Sequence, residues 1–201
     1  MRRKLKRVMA LILIILSIMV FPLNVYAADY YTYNNHVISG GVGNWGQHRR
    51  YYYITSSAVS DGDTTLIQNA MSSWIYTDDK LSTPISFRQT TTQKQSVMDI
   101  YAGNYYAPST GIIAETLFYS SSGEINPMNS NWVWNKIDLN MQVFNTLSLF
   151  NMQGSIAHEM GHCMGLNENN HILNAIMCQL GNGRVVNEPE VFDLRGINYL
   201  Y

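Results

Sequence analysis

Residues 157–168 read AHEMGHCMGLNE. His158 and His162 are four positions apart, and Glu159 directly follows the first of them. On an α-helix, residues i and i+4 share one face, so both imidazoles can bind one metal ion. Glu159 is turned about 100° around such a helix, where it can reach a metal-bound water without displacing it. The pattern favours a zinc hydrolase, but it also occurs by chance. The residues that follow it are therefore needed to judge whether it marks a metal site.

The first 27 residues have the pattern of a secretory signal peptide. Five basic residues precede an apolar run, and Val25 and Ala27 occupy the positions recognised for cleavage. The alternative is an uncleaved membrane anchor, but the run is short for a full span. We therefore predict secretion without stable membrane insertion, and three segments: a signal peptide at 1–27, a loose N-terminal arm at 28–50 and a catalytic domain at 51–201.

The chain beyond this leader is acidic. The whole sequence has 13 lysines and arginines, and five of them lie in the leader. The rest of the chain therefore has eight basic residues against 14 aspartates and glutamates. A protein that binds nucleic acid neutralises phosphates with basic residues, so no nucleic-acid partner is expected. We expect a monomer that acts on a protein or peptide.

Hydrophobic periodicity predicts an α+β fold. Alternating apolar runs rich in β-branched and aromatic residues predict strands, and apolar residues repeated at three and four positions predict helices. The predicted strands are 51–55, 85–90, 97–101, 111–119 and 136–140; the predicted helices are 64–76, about 149–164, and 191–200.

The two cysteines, Cys163 and Cys178, leave three alternatives open. Export permits a disulfide between them. They can instead be two buried free thiols, or one of them can meet the metal. Cys163 directly follows His162, so it faces about 100° away from that histidine on a helix and is a poor candidate ligand.

A catalytic zinc needs at least three protein ligands and one open position for water. Gly165 allows a sharp turn after the helix, so the third ligand can come from the residues just beyond. The candidates are Glu168, His171 and, more weakly, Asn167 or Asn170. A further alternative is that only the two histidines bind, and that zinc is held weakly or not at all.

The motif resembles that of the metzincin zinc metallopeptidases, and most closely their matrixin-like branch. The clan pattern is His-Glu-x-x-His-x-x-Gly-x-x-His, or Asp at the last place, where this chain has Glu168. Residues 174–177, read NAIM, are similar to the clan's methionine turn, with Met177 beneath the metal. Residues 111–116 are similar to the edge strand that pairs with substrate, and residues 191–201 to the closing helix.

Other features of the sequence bear on the branch and on the third ligand. Gln179 stands where astacin-like and serralysin-like enzymes have a tyrosine ligand, which favours the matrixin-like branch. His171 is the rival of Glu168, and it would require the loop to bulge by three residues. A gluzincin would take its third ligand from a later helix, as Glu188 or Glu190, but Pro189 between them is better explained as a helix start.

The resemblance implies a metzincin-like domain with a mixed, twisted five-stranded sheet, two long helices, and a small C-terminal subdomain that holds the methionine turn and closing helix. It implies a secreted zinc endopeptidase with one catalytic zinc and Glu159 as general base. The alternative is a secreted zinc-binding or adhesive domain without catalysis. The implied metal ligands are His158, His162 and Glu168, with His171 as the alternative third; the implied substrate strand contains Ile113, Ala114 and Glu115.

Overall fold

The computed structural model describes residues 30–43 and 50–201. The predicted signal peptide lies outside these residues and stays a prediction. The described chain is an α+β fold with a six-stranded mixed sheet and five α-helices. The strands are β1 (Arg50–Ile54), β2 (Phe87–Gln89), β3 (Met98–Gly103), β4 (Ala114–Ser120), β5 (Gly123–Glu124) and β6 (Trp134–Asn140); the helices are α1 (Ser56–Ser60), α2 (Thr64–Ile75), α3 (Met141–Phe144), α4 (Leu149–Cys163) and α5 (Val191–Leu200).

The sheet has the strand order β2-β1-β3-β6-β4-β5. The first four of these strands are parallel, whereas β4 is antiparallel to β6 and β5 is antiparallel to β4. All five predicted strands are present, but the prediction of five strands in total is wrong. The chain turns after Ser120 and returns as the two-residue strand β5, and Gly123 adopts a φ of 126° there that favours glycine.

Strand β4 begins three residues later than predicted. Residues Pro108–Thr110 form a 3-10 turn, and Gly111 ends it with a φ of 69°. A left-handed residue cannot continue as a strand, so Ala114 is the first residue of β4. Residues 111–113 therefore form an irregular approach to the edge of the sheet.

Helix α4 forms where the motif predicts it. The Ser148 hydroxyl caps its start by accepting a hydrogen bond from the Asn151 N–H at 3.3 Å. Its second half, residues 154–163, is buried, because α2 packs on it and strands β4 and β6 contact it. Gly165, with a φ of 103°, turns the chain after the helix.

Two buried tryptophans fix the position of α4. The Trp74 indole on α2 donates to the Ala157 carbonyl at 3.0 Å, and the Trp132 indole donates to the Cys163 carbonyl at 3.1 Å. Both rings are fully buried, so their N–H groups need these partners. The helix that carries the motif is held at both ends of its buried half.

The prediction of a loose N-terminal arm is wrong for its described part, which packs against the domain. Ile38 and Val42 are buried in the core. Isolated β-bridges join Thr32 to Leu166 and Ile38 to Trp132. The segment is mostly polar, so its few buried apolar residues form no pattern that predicts packing. The bridge between Thr32 and Leu166 places the arm beside the end of α4.

The two cysteines are buried free thiols, which is one of the three alternatives that the sequence left open.

Among the described residues, no helix is both long enough and apolar enough to span a bilayer.

Candidate metal centre

Helix α4 presents the three motif side chains on its buried half. The rings of His158 and His162 are nearly perpendicular, with centroids 4.6 Å apart. Ligand atoms of both histidines and of Glu159 lie within 4.8 Å of one another, and each residue is less than a tenth exposed. The spacing of the motif thus brings the two imidazoles and the Glu159 carboxylate together on one helix.

Backbone carbonyls determine the tautomer of both histidines. His158 Nδ1 lies 2.8 Å from the Ile176 carbonyl oxygen, and His162 Nδ1 lies 2.8 Å from that of Leu166. A carbonyl oxygen only accepts, so each Nδ1 carries the proton and donates it. The Nε2 atom of each ring is therefore left with a lone pair that can bind a metal.

Glu168 completes a three-atom cradle. Its Oε1 lies 3.5 Å from His158 Nε2 and 3.4 Å from His162 Nε2. Ligand atoms about 2.0–2.1 Å from a tetrahedral zinc lie about 3.3–3.4 Å from one another, so the observed spacing fits zinc. The other oxygen, Oε2, is buried without a hydrogen-bond partner among the described residues.

The cradle favours positive charge. Burial opposes ionisation of Glu168, but His158 and His162 outweigh it and lower the pKa of this carboxyl to about 2. Burial likewise opposes charge on His162, but Glu168 and Glu159 outweigh it and raise the pKa of the imidazole. The three acceptor atoms therefore converge on a position that a cation would stabilise.

Glu159 differs from Glu168 in the partner of its carboxylate. It belongs to the tight group with the two histidines, but its Oε2 accepts a hydrogen bond from the Thr116 hydroxyl at 2.7 Å. Glu168 Oε1 faces both Nε2 atoms directly, so Glu168 is the better third ligand. The sequence places Thr116 only within the predicted edge strand, and no motif relates its side chain to Glu159.

The rival third ligands lie elsewhere or have other partners. His171 is exposed, and its ring lies 6.1 Å from that of Tyr31 in the arm. Asn167 and Asn170 accept hydrogen bonds from the backbone N–H groups of Glu168 and Gln179, respectively. Lys80 forms ion pairs with the two glutamates considered for a gluzincin, at 2.9 Å with Glu188 and 3.0 Å with Glu190.

Met177 lies under the motif helix and is only 2 % exposed. A Cβ added at Gly161 would overlap the Met177 sulfur, so glycine at this position lets the thioether approach the helix. Gly161 precedes His162, and Met177 follows the Ile176 carbonyl that orients His158. The methionine therefore packs against the motif helix at Gly161, the residue before His162.

Asp193 holds the methionine loop, and the sequence did not single it out. Its carboxylate accepts hydrogen bonds from the backbone N–H groups of Ile176 at 2.9 Å, Met177 at 3.3 Å and Glu190 at 2.9 Å. Burial raises the pKa of this carboxyl to about 6, although the three N–H groups oppose the shift. Asp193 thus connects the start of α5 to the loop beneath the metal cradle.

Replacing Asp193 by Ala is expected to lower the free energy of unfolding by about 3 kcal/mol, because three buried N–H groups lose their acceptor. Thermal denaturation should show a melting temperature lower by roughly 6–12 °C for a domain of this size. The exposed Glu124→Ala variant is the control and should melt like the wild type. Equal melting of the Asp193 variant would contradict this role.

Tyr33 connects the arm to the second histidine, and no motif in the sequence predicts this contact. Its hydroxyl oxygen lies 2.8 Å from His162 Nδ1, where it can share the proton that this nitrogen donates to Leu166. Burial raises the pKa of Tyr33, and the charges of Glu159 and Glu168 raise it further. The phenol therefore stays neutral beside the cradle.

The edge of β4 borders the cradle. β4 pairs with β6 along Ala114–Tyr119, but with β5 only at Tyr119 and Ser120. The Ile113 carbonyl accepts a hydrogen bond from Asn140, and the alternation along an antiparallel strand directs Glu115 the same way. Of the three predicted substrate-strand residues, Ala114 is thus the one whose N–H and C=O face the free edge, and Thr116 is the next.

A cleft of about 360 Å³ lies between this edge and the loop after Met177. One wall is residues 110–114, and the other is residues 179–182 with Arg184. Ser155, His158, Glu159 and Glu168 also line it. The metal cradle therefore opens into a groove that is bounded by a strand edge with free hydrogen-bonding groups.

No known family model matches the chain, and no curated protein sequence matches it. The metzincin resemblance accordingly remains a prediction from the motif.

Proposed function

We propose that the protein is a secreted, zinc-dependent endopeptidase with a metzincin-like, matrixin-type catalytic domain. The convergence of His158 Nε2, His162 Nε2 and Glu168 Oε1 carries this proposal, since the Nδ1 atoms of both rings donate to backbone carbonyls. Three lone pairs at zinc spacing beside a buried glutamate fit a hydrolytic metal site. The leader at 1–27 supports export.

The proposed reaction is hydrolysis of a peptide bond. A zinc ion in the cradle would lower the pKa of a water and polarise the scissile carbonyl. Glu159 accepts the proton of the attacking water and delivers it to the leaving amine. Thr116 engages Oε2 of Glu159, which leaves Oε1 as the oxygen that handles the proton.

An extended peptide would bind along the free edge of β4. The outward N–H and C=O groups of Ala114 and Thr116 can pair with its backbone, as in other cases of β-strand addition. Such binding reads the main chain, so it suits a protein or peptide substrate of varied sequence. The acidic composition of the chain beyond the leader gives no reason to propose a nucleic-acid substrate.

The alternative function is a secreted zinc-binding or adhesive domain that does not catalyse. The reason to consider it is Glu168, which stands where the clan pattern has histidine or aspartate. The position of Glu159 argues against it, because a binding domain has no need of a glutamate held by Thr116 at the metal. The cleft beside the cradle argues the same way.

Zinc content and cleavage of a mixed peptide library separate the two functions. We expect one zinc per chain and cleavage within peptides, which a chelator removes and added zinc restores. One zinc per chain without cleavage of any peptide would favour the binding domain. A chain that takes up no zinc would contradict both.

Replacing Thr116 by Val is expected to lower kcat/KM about tenfold, because Glu159 loses a hydrogen bond worth roughly 1.5 kcal/mol. The change keeps the shape of the side chain, so zinc content should stay as in the wild type, while the lost buried hydrogen bond should lower the melting temperature by roughly 3–6 °C. Thr116→Ser retains the hydroxyl and should recover most of the activity. Wild-type kcat/KM in the valine variant would show that Thr116 does not position the base.

A further inference from the structure

Arg184 is a buried cation in the wall of the cleft. It is only 6 % exposed, yet it lines the groove together with His158 and Glu159. No other lysine or arginine belongs to the cleft lining. Arginine stays protonated at neutral pH, so this wall carries one fixed positive charge.

The guanidinium has few partners. Its Nη2 donates to the Ser155 hydroxyl at 3.3 Å, and its Nε is buried without an acceptor in the described chain. Among the described residues it forms no ion pair within 4.0 Å. A buried charge is costly unless a counter-charge meets it, so the site is suited to an anion from outside the chain.

The nearby carboxylates do not take this role. Glu159, Glu168 and Asp193 act on Arg184 through their charge, and none of them forms an ion pair with it. Asp193 already accepts from three backbone N–H groups. Glu168 faces the two imidazoles, and Glu159 is engaged by Thr116. Glu159 and Glu168 therefore have partners at the metal cradle, and the Arg184 guanidinium is left able to bind an anionic ligand.

Arg184 lies close to the proposed reaction. Its partner Ser155 is one helical turn before His158 and Glu159 on α4, and residues three and four apart lie about 5–6 Å from each other at Cβ. An extended peptide advances about 3.3 Å per residue. A group bound by Arg184 would therefore belong to a residue that flanks the scissile bond.

We infer that Arg184 binds a carboxylate of the substrate next to the scissile bond. The inference rests on the proposed peptidase function and gives it a substrate class: peptides with Asp or Glu beside the cleaved bond. The terminal carboxylate of a peptide has the same chemistry and could bind in the same way. Arginine suits either source, since its planar fork matches a carboxylate.

Matched peptides test the inference on the wild-type protein. Each pair has Glu or Gln at one position flanking the cleaved bond, and amidated termini remove the other carboxylate. We expect kcat/KM to be about 10- to 100-fold higher for Glu than for Gln at one of these positions, as for a charged hydrogen bond. Equal rates at both positions, together with equal rates for free-acid and amidated short peptides, would overturn the inference.

A variant then assigns the preference to Arg184. Arg184→Met keeps the length of the side chain without the charge and should make the Glu and Gln peptides equal. Arg195→Met, at an exposed arginine on α5, is the control and should keep the preference. A preference that survives in Arg184→Met would overturn the assignment. Should that variant fold poorly, Arg184→Lys is expected to reduce the preference without reversing it.

Peptide binding separates this inference from the proposed function. The Glu159→Gln protein, loaded with zinc, should bind a fluorescent Glu peptide about tenfold more tightly than the Gln peptide, and the added Arg184→Met change should remove the difference. If no peptide is ever cleaved but this binding difference is found, the peptidase function fails and the carboxylate site stands. If both peptides bind equally, the inference fails whatever the activity.

Discussion

Replacing Glu159 by Gln is expected to lower kcat/KM for peptide cleavage by about 10²- to 10⁴-fold, the usual contribution of a general acid–base group. Gln has nearly the same shape and its amide oxygen can still accept from Thr116, so the site should keep its geometry. The amide cannot take the proton of the attacking water. Zinc content should stay at one per chain, because Glu168 and not Glu159 faces both imidazoles.

The measurement is the steady-state rate on a peptide found in the library, with zinc content and melting temperature from the same preparation. Glu124→Gln, an exposed carboxylate on β5, is the matched control and should cleave like the wild type. Wild-type cleavage by a pure Glu159→Gln preparation would remove Glu159 from the mechanism.

Replacing Glu168 by Ala is expected to weaken zinc binding at least about 100-fold, since even the residues that orient a ligand contribute 10- to 100-fold. The two histidines would then hold the metal alone. His171→Ala should bind zinc like the wild type, because His171 is exposed and lies against Tyr31. Zinc titration against a chromophoric chelator gives both affinities.

Glu168→His provides a second comparison, because it restores the residue of the clan pattern. It should bind zinc far better than Glu168→Ala. Loss of zinc in His171→Ala, with wild-type affinity in Glu168→Ala, would make His171 the third ligand and require the loop to rearrange.

The parts of the fold with local signals could be predicted. Helix α4 has an apolar stripe and a stop at Gly165, so its course and its end follow from neighbouring residues, whereas the cap at Ser148 is found only in the structure. The spacing of His158 and His162 likewise fixes their shared face. The strands follow from alternation, apart from β5, because two exposed residues are too few to form a pattern.

The supporting contacts could not be predicted, because they join residues far apart in the chain. Tyr33 reaches His162, Asp193 reaches the loop at Met177, and Thr116 reaches Glu159. Each residue type is common in a polar surface segment, a helix start or a strand, and only the tertiary fold gives it a partner. The packed arm is a further example, since its anchors Ile38 and Val42 are isolated in a polar sequence.

The choice of the third ligand depended on the loop after Gly165. From the sequence, Glu168 and His171 both lay within reach of the metal. The loop turns so that Glu168 faces the two Nε2 atoms while His171 lies exposed beside the arm. That path depends on contacts with Met177 and the arm, including the hydrogen bond from the Asn169 N–H to the Met177 carbonyl at 2.8 Å.

The most direct test of the metal centre is diffraction from zinc-loaded crystals at the zinc absorption edge. We predict one strong anomalous peak, about 2.0–2.2 Å from His158 Nε2, His162 Nε2 and a Glu168 oxygen. Glu159 should lie beside the peak without binding it. A crystal with no peak in the cradle, or a zinc held by His171 or Glu159 in place of Glu168, would contradict this prediction.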